Sequence, residues 1–185
     1  MSLAPIGLAL LLFSPQPQPQ DQAPVPSPRD VASIEAVVAA VYDVISGPKG
    51  EPRDWDRFRS LFVPDARLIP VVVGPEGGAT VRVLGVEDYI LLADRAMAAD
   101  GFFEREISRK VDRFGKLAHV FSTYESRRDE ADLEPFARGI NSFQLLDTGD
   151  GGWRVVTIYW DAERPDAPIP DAYLPPAAGP SPDRP

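Results

Sequence analysis

Arg138-Gly139-Ile140-Asn141-Ser142-Phe143-Gln144-Leu145-Leu146, then Asp147-Thr148-Gly149-Asp150-Gly151-Gly152, then Trp153-Arg154-Val155-Val156-Thr157-Ile158-Tyr159-Trp160 is the stretch that decides the fold. Two runs rich in β-branched and aromatic residues flank a cluster of Asp and Gly, residues that tolerate the positive φ of a tight turn, so the local solution is a β-hairpin. Working back from it, alternation of apolar and polar residues begins near Phe102. Phe103, Arg105, Ile107, Arg109 and Val111 fall on one face of a strand, and Glu104, Glu106, Ser108, Lys110 and Asp112 on the other, which reads as solvated. Phe114-Gly115-Lys116 turns the chain into a strand over Leu117 to Arg127, and the acidic segment Arg128 to Glu134 leads back to the opening hairpin.

Upstream the period changes from two to 3.6. Ile34, Val37, Val38, Val41 and Ile45 recur at helical spacing after a candidate cap at Asp30, until Gly47-Pro48 stops the run. A second, short helix starts near Asp54, with Trp55, Phe58, Leu61 and Phe62 on one side, and ends at Pro64-Asp65. Arg67 to Val73, the loop Gly74 to Gly78, and Thr80 to Leu84 read as a strand pair. A third helix runs from about Val86, with Val86, Tyr89, Ile90, Ala93 and Met97 inward, to Asp100-Gly101. Helices first and long strands after predict an α+β fold: a cone-like, curved antiparallel sheet wrapped around three N-terminal helices.

The chain has 185 residues, 44% of them hydrophobic, which suits one domain with a sizeable core. Its formal net charge of −9 argues against nucleic acid and anionic lipid as partners, since both are recognised through clustered Lys and Arg. Without cysteine there is no disulfide, thiolate nucleophile or Cys-ligated zinc, and with one histidine neither a metal nor a cofactor is called for. Leu3 to Phe13 is apolar but too short to span a bilayer, and is expected to be the h-region of a cleaved signal peptide, giving a periplasmic or secreted protein with no stable membrane insertion after processing. The alternative is a mis-assigned start and a cytoplasmic protein. Ser14 to Pro28 is a Pro/Gln-rich spacer. The expected organisation is therefore a leader and spacer over 1–28, a domain over 29–174 and a Pro-rich tail over 175–185.

The order of elements over Asp30 to Asp161 resembles the nuclear transport factor 2-like (NTF2-like) superfamily and its SnoaL-like branch, which share a cystatin-like cone. The resemblance is carried by Leu61-Phe62-Val63-Pro64-Asp65-Ala66-Arg67-Leu68, similar to the family's helix-to-strand junction, and by Gly151-Gly152-Trp153-Arg154-Val155, similar to its last hairpin. It implies a cone pocket, and a fold that hosts isomerases, dehydratases, carriers and protein-binding subunits. Family enzymes that abstract a carbon-bound proton place a carboxylate on the first strand; here that stretch reads Leu68-Ile69-Pro70-Val71-Val72, with no base. They also use a Tyr from the first helix, for which Tyr42 is the one candidate. The first reading of Tyr42 is a core residue with its hydroxyl satisfied at the rim, and the resemblance adds only a pocket hydroxyl.

Alternation places Ser122 and Tyr124 on the concave face with Ala118 and Val120, where Asn141 or Gln144 of the adjoining strand adds an amide. Trp55, Trp153 and Trp160 read either as rings lining a hydrophobic ligand or as core filling, and Tyr42, Ser122, Tyr124, Asn141 and Trp160 are the candidate ligand-binding residues, for a small, mostly apolar molecule. No catalytic residue is assignable. His119, on the opposite face with Leu117 and Phe121, is either a general base or a structural residue bonded to a neighbour. Arg105, Arg109, Arg138 and Arg154 read either as partners of an anionic ligand or, as the first expectation, of carboxylates across the strands. Phe121, Phe143 and Leu145 are expected on the second face of the sheet and would be covered by a homodimer. The function classes that follow are a ligand-binding protein of unassigned activity, a lyase or isomerase using Tyr or His, and a dimeric interaction module.

Overall fold

The computed structural model describes residues 24–149 and 152–176. The leader, most of the spacer, the turn residues Asp150 and Gly151, and 177–185 lie outside the described residues. A four-residue helix α1 (Pro28–Val31) precedes α2 (Ile34–Ile45), α3 (Trp55–Ser60), β1 (Phe62–Val73), β2 (Ala79–Val81), α4 (Val86–Asp100), β3 (Phe103–Phe114), β4 (Leu117–Arg127), β5 (Ala137–Asp147) and β6 (Trp153–Ala162). The six strands form one sheet in the order β2-β1-β6-β5-β4-β3. Every pair is antiparallel except β1 with β6.

Helix α2 is capped by Ser33, whose hydroxyl accepts the Ala36 amide at 3.1 Å. Asp30, the residue expected to cap it, instead receives the Arg57 guanidinium at 2.8 Å and ties α1 to α3. Val37, Val38, Val41 and Ile45 are buried along one side of α2, as the helical spacing predicts. At its far end Arg53 donates to the carbonyls of Ile45 at 3.0 Å, Gly47 at 2.5 Å and Glu51 at 2.7 Å. Those are carbonyls a helix C-terminus and the turn after it leave without intrahelical partners. Asp54 caps α3 by accepting the Arg57 amide at 2.9 Å.

Three element boundaries differ from the reading of the sequence, the first being the strand read over Thr80 to Leu84, which spans Ala79–Val81. Phe62 opens a strand rather than closing α3, and Pro64-Asp65 lies inside β1, where the register against β6 slips between Phe62 and Arg67. Asp65 takes φ 61°, the left-handed conformation that an Asp side chain tolerates better than most, and this lets a proline-containing strand continue through a bulge.

The hairpin of β5 and β6 is present, with Asp147 opposite Trp153. Its inward face is the reverse of the expected one for two residues: Phe143 and Leu145 are 0% and 1% exposed, packed inside with Val120 and Val155, while Phe121 faces out. The register explains it, because Phe143 pairs with Val120 and Asn141 with Ser122, and both partners are inward residues of β4. Strand parity makes Asn141, Phe143 and Leu145 one set, so an inward Asn141 excludes Gln144 and requires Phe143 to follow it.

After β6 the chain returns over the outside of the sheet. Ile169 is buried, Tyr173 meets Phe121 edge to face at 4.9 Å, and the Thr123 hydroxyl donates to the Tyr173 carbonyl at 2.6 Å. Part of the outer face is thereby covered by the chain itself. Leu117, Leu146, Val156 and Tyr159 remain exposed beside it.

Candidate functional site

Inside the wide end of the cone lies a cavity of about 260 Å³. Val41 and Ile45 of α2, Phe58 of α3 and Tyr89 of α4 form its floor and one wall. The sheet supplies Leu68, Glu104, Tyr124, Ser126, Asn141, Phe143, Ile158 and Trp160, and Phe102 and Phe136 stand beside them. The rings form a chain: Phe58 stacks on Tyr89 at 5.3 Å, and Tyr89 meets Trp160 edge to face at 6.4 Å.

The single ionisable carboxyl in this lining is Glu104, which strand alternation had assigned to solvent. The error has one physical cause. The β3–β4 register shifts between Glu106 and Ser108: Glu104 pairs with Ser126 and Glu106 with Tyr124, whereas Ser108 pairs with Thr123 and Arg109 with Ser122. One extra residue at Ile107 therefore inverts the parity of the strand, so that Glu104 and Glu106 face inward before the bulge and Arg109 and Val111 after it. Nothing in the alternation itself reveals a bulge. The usable signal lay on the neighbouring strand, where Ser122 and Ser126 share an inward face and need polar partners.

Glu104 is fixed at both ends. Its amide donates to the Ser46 hydroxyl at 2.9 Å, and Ser46 in turn donates to the Tyr42 carbonyl at 2.7 Å, so the end of α2 holds the start of β3. The Gly47–Phe102 pair completes the clamp, with N–H to carbonyl distances of 2.7 and 3.0 Å. The carboxyl receives the Ser126 hydroxyl at 2.8 Å. Burial among apolar walls pushes its pKa up to about 7, an effect moderated by the Ser126 hydroxyl and the Asn141 amide. No cation contributes.

Of the residues expected at the site, Tyr124, Asn141 and Trp160 line the cavity. Tyr124 reaches across β5 because its neighbour there is Gly139, where a β-carbon would stand 2.5 Å from the Tyr124 hydroxyl oxygen. Burial first, and the nearby Glu104 second, raise the phenol pKa of both Tyr124 and Tyr89.

Tyr42 and Ser122 sit behind the cavity wall and serve it indirectly. Ser122 donates to Glu106 at 2.6 Å, so its oxygen accepts the Tyr42 hydroxyl at 2.7 Å, and the Tyr42 oxygen accepts the Asn141 amide at 3.0 Å. The chain of bonds ends on Glu106, which is paired with Arg109. It orients the Asn141 amide. On its other side Tyr42 borders an open cleft shared with Asp43, Glu104, Glu106, Glu130 and Asp132, so Glu104 stands where cavity and cleft meet.

His119 lies on the outer face, with its Nε2 2.9 Å from the Ser142 hydroxyl, a structural contact away from the cavity. Arg105 pairs with Glu125 at 2.5 Å directly across the ladder, and Arg138 with Glu163 at 2.8 Å. Trp55 donates to Asp94 at 2.8 Å, and Trp153 packs in the core beneath the Arg113 guanidinium at 4.9 Å. The loop over Asp129 to Glu134 is exposed, with Asp132 accepting the Arg128 and Asp129 amides.

No family model and no curated protein matches the chain. Solved structures do. A cystatin-like protein of unknown function from Nostoc punctiforme is 14% identical with a TM-score of 0.54, over 72% of this chain and 91% of its own. An NTF2-like protein of unknown function from Pseudomonas putida is 14% identical with a TM-score of 0.54, over 74% and 89%. A proposed dehydratase of the NTF2-like family from Streptomyces avermitilis is 19% identical with a TM-score of 0.53, over 73% and 96%. At these identities the likeness is one of fold: this chain has the NTF2-like, cystatin-like cone.

Proposed function

We propose that the cone is a binding site for a small, mostly apolar molecule. The observation that carries this is the cavity itself, walled by aromatic and aliphatic side chains with Glu104, Tyr89, Tyr124 and Asn141 converging on it. A few fixed polar groups in an apolar enclosure orient a ligand, while the walls supply affinity. Native mass spectrometry of the purified protein tests the reading: a retained small molecule, or a thermal shift with small apolar compounds, is expected. A protein that is always empty and that no such compound stabilises would contradict it.

A second reading, a lyase or isomerase, is favoured by Glu104. A carboxyl titrating near pH 7 can both take and return a proton under ordinary conditions. It supplies a carboxyl to the cavity from β3, where the first strand offers none. Deuterium exchange into the α-carbon of a small cyclic ketone measures it. Wild type should exchange faster than Glu104→Gln, and equal rates would rule the reading out.

Export of the chain through its leader belongs to the same proposal, and fractionation with amino-terminal sequencing tests it. So does pairing of two copies over the exposed outer-face residues Leu117, Leu146, Val156 and Tyr159. Sedimentation of a monomer at micromolar concentration would remove that part.

A further inference from the structure

We infer that the cavity selects a small organic amine: an ammonium group set against the Glu104 carboxylate, on an apolar body held among the rings. The inference rests on the reading that the cavity takes up a small molecule, and adds the class of that molecule.

Three observations lead to it. The first is charge balance. The cavity lining holds one carboxyl and no Lys or Arg among the described residues, and the groups that touch Glu104, the Ser126 hydroxyl and the Asn141 amide, are neutral. A carboxylate away from water is costly without a countercharge, so the ionised form of this one lacks what a bound cation would supply. The other inward carboxylate, Glu106, already has Arg109. The second is the wall. Phe58, Tyr89, Phe102 and Trp160 surround the same space, with Phe136 beside them already under the Arg128 guanidinium at 3.9 Å, and the negative faces of aromatic rings attract a desolvated ammonium more strongly than an alcohol of equal shape. The third is the approach. The cleft that meets the cavity at Glu104 carries the carboxylates of Glu104, Glu130 and Asp132 beside Asp43 and Glu106, which are paired with Arg57 and Arg109, while its two guanidiniums, Arg105 and Arg127, share Glu125, on a chain of net charge −9. Such a field concentrates small cations and repels anions.

The classes of ligand separate on these terms. An acid of the same shape would place like charge beside Glu104. An alcohol could bond to the carboxyl in either protonation state but leaves the ionised form without its countercharge. The amine alone answers all three features.

Calorimetric titration of the full chain at pH 7.5 with 2-phenylethylamine, 2-phenylethanol and phenylacetate tests this. The amine is expected to bind with one-to-one stoichiometry and at least tenfold more tightly than the alcohol, with phenylacetate weakest. In Glu104→Gln, which preserves shape, the preference for the amine should vanish while the alcohol binds as before, showing an intact cavity. Amine held only by surface carboxylates would be released by 0.5 M salt and would be indifferent to Glu104→Gln, and that result overturns the inference. Alcohol binding as tightly as the amine in wild type also overturns it while leaving the binding-site reading in place. Failure of all three probes to bind would overturn the inference, while the binding-site reading falls only if the protein is also always empty and no small apolar compound stabilises it.

Discussion

The two ends of the cone use the same strands to opposite effect. At the narrow end, Ala118 and Val120 of β4, Leu145 of β5 and Val155 of β6 are sealed against Val37 and Val38 of α2, all at 1% exposure or less. At the wide end the next inward residues of those strands are Ser122, Tyr124, Ser126, Asn141 and Trp160, and the space above them is left unfilled. One end carries stability and the other carries chemistry. The boundary between them is the hydrogen-bonded row Asn141, Tyr42, Ser122 and Glu106, which closes the dry core against the cavity.

That division is sharpened or broken by substitution. Leu145→Ala should have the largest effect, a loss of about 2 to 5 kcal/mol in chemical unfolding, because it deletes a fully buried side chain at the closed end. A loss under about 1 kcal/mol would mean that this end is not packed.

Glu104→Gln should act in the opposite direction. The folded protein holds the Glu104 proton to about pH 7 and an exposed glutamate only to about 4.5. Between those values the folded state binds more protons, so stability falls as pH rises, and the carboxyl contributes no slope below or above that window. The variant should match wild type at pH 4, exceed it by up to about 3 kcal/mol at pH 8, and show a flatter profile between. A wild-type profile that is unchanged by the substitution would place Glu104 in water.

Tyr42→Phe removes the middle of the boundary row and should cost about 1 to 2 kcal/mol. It should also weaken ligand binding, because Asn141 loses the acceptor that orients it. Gly139→Ala would set a β-carbon 2.4 Å from the Asp161 carbonyl oxygen and 2.5 Å from the Tyr124 hydroxyl oxygen, so it should part the wide ends of β5 and β6 and displace the Tyr124 ring, with little change in the environment of Leu145 at the narrow end. His119→Ala, on the outer face, should change stability by less than about 1 kcal/mol and leave binding untouched.

How much of this was legible in the sequence follows from which interactions are periodic. Helix α2, the inward face of β4 and the final hairpin repeat at 3.6 or 2 residues, and each is where the pattern put it. Asn141 and Trp160 line the cavity; alternation leaves Asn141 and Gln144 open, and Trp160 is named for its ring and not for its place in the pattern. Glu104 was missed, because a bulge at Ile107 leaves no trace in alternation and is set by how β3 and β4 must bend to close the cone. Phe143 and Leu145 were assigned outward although the same parity that brought Asn141 inward required them to follow. Ser33 displaced Asp30 as the helix cap because a tertiary partner, Arg57, held the aspartate elsewhere. Local rules located the elements. Long-range contacts decided which polar groups ended inside.

The claim on which the account turns is that Glu104 faces an apolar enclosure rather than solvent, and its own titration tests that most directly. Carbon-13 detection of the Glu104 carboxyl, assigned by its loss in Glu104→Gln, should give a midpoint of about 7. A midpoint at the ordinary value of 4.5 would contradict it.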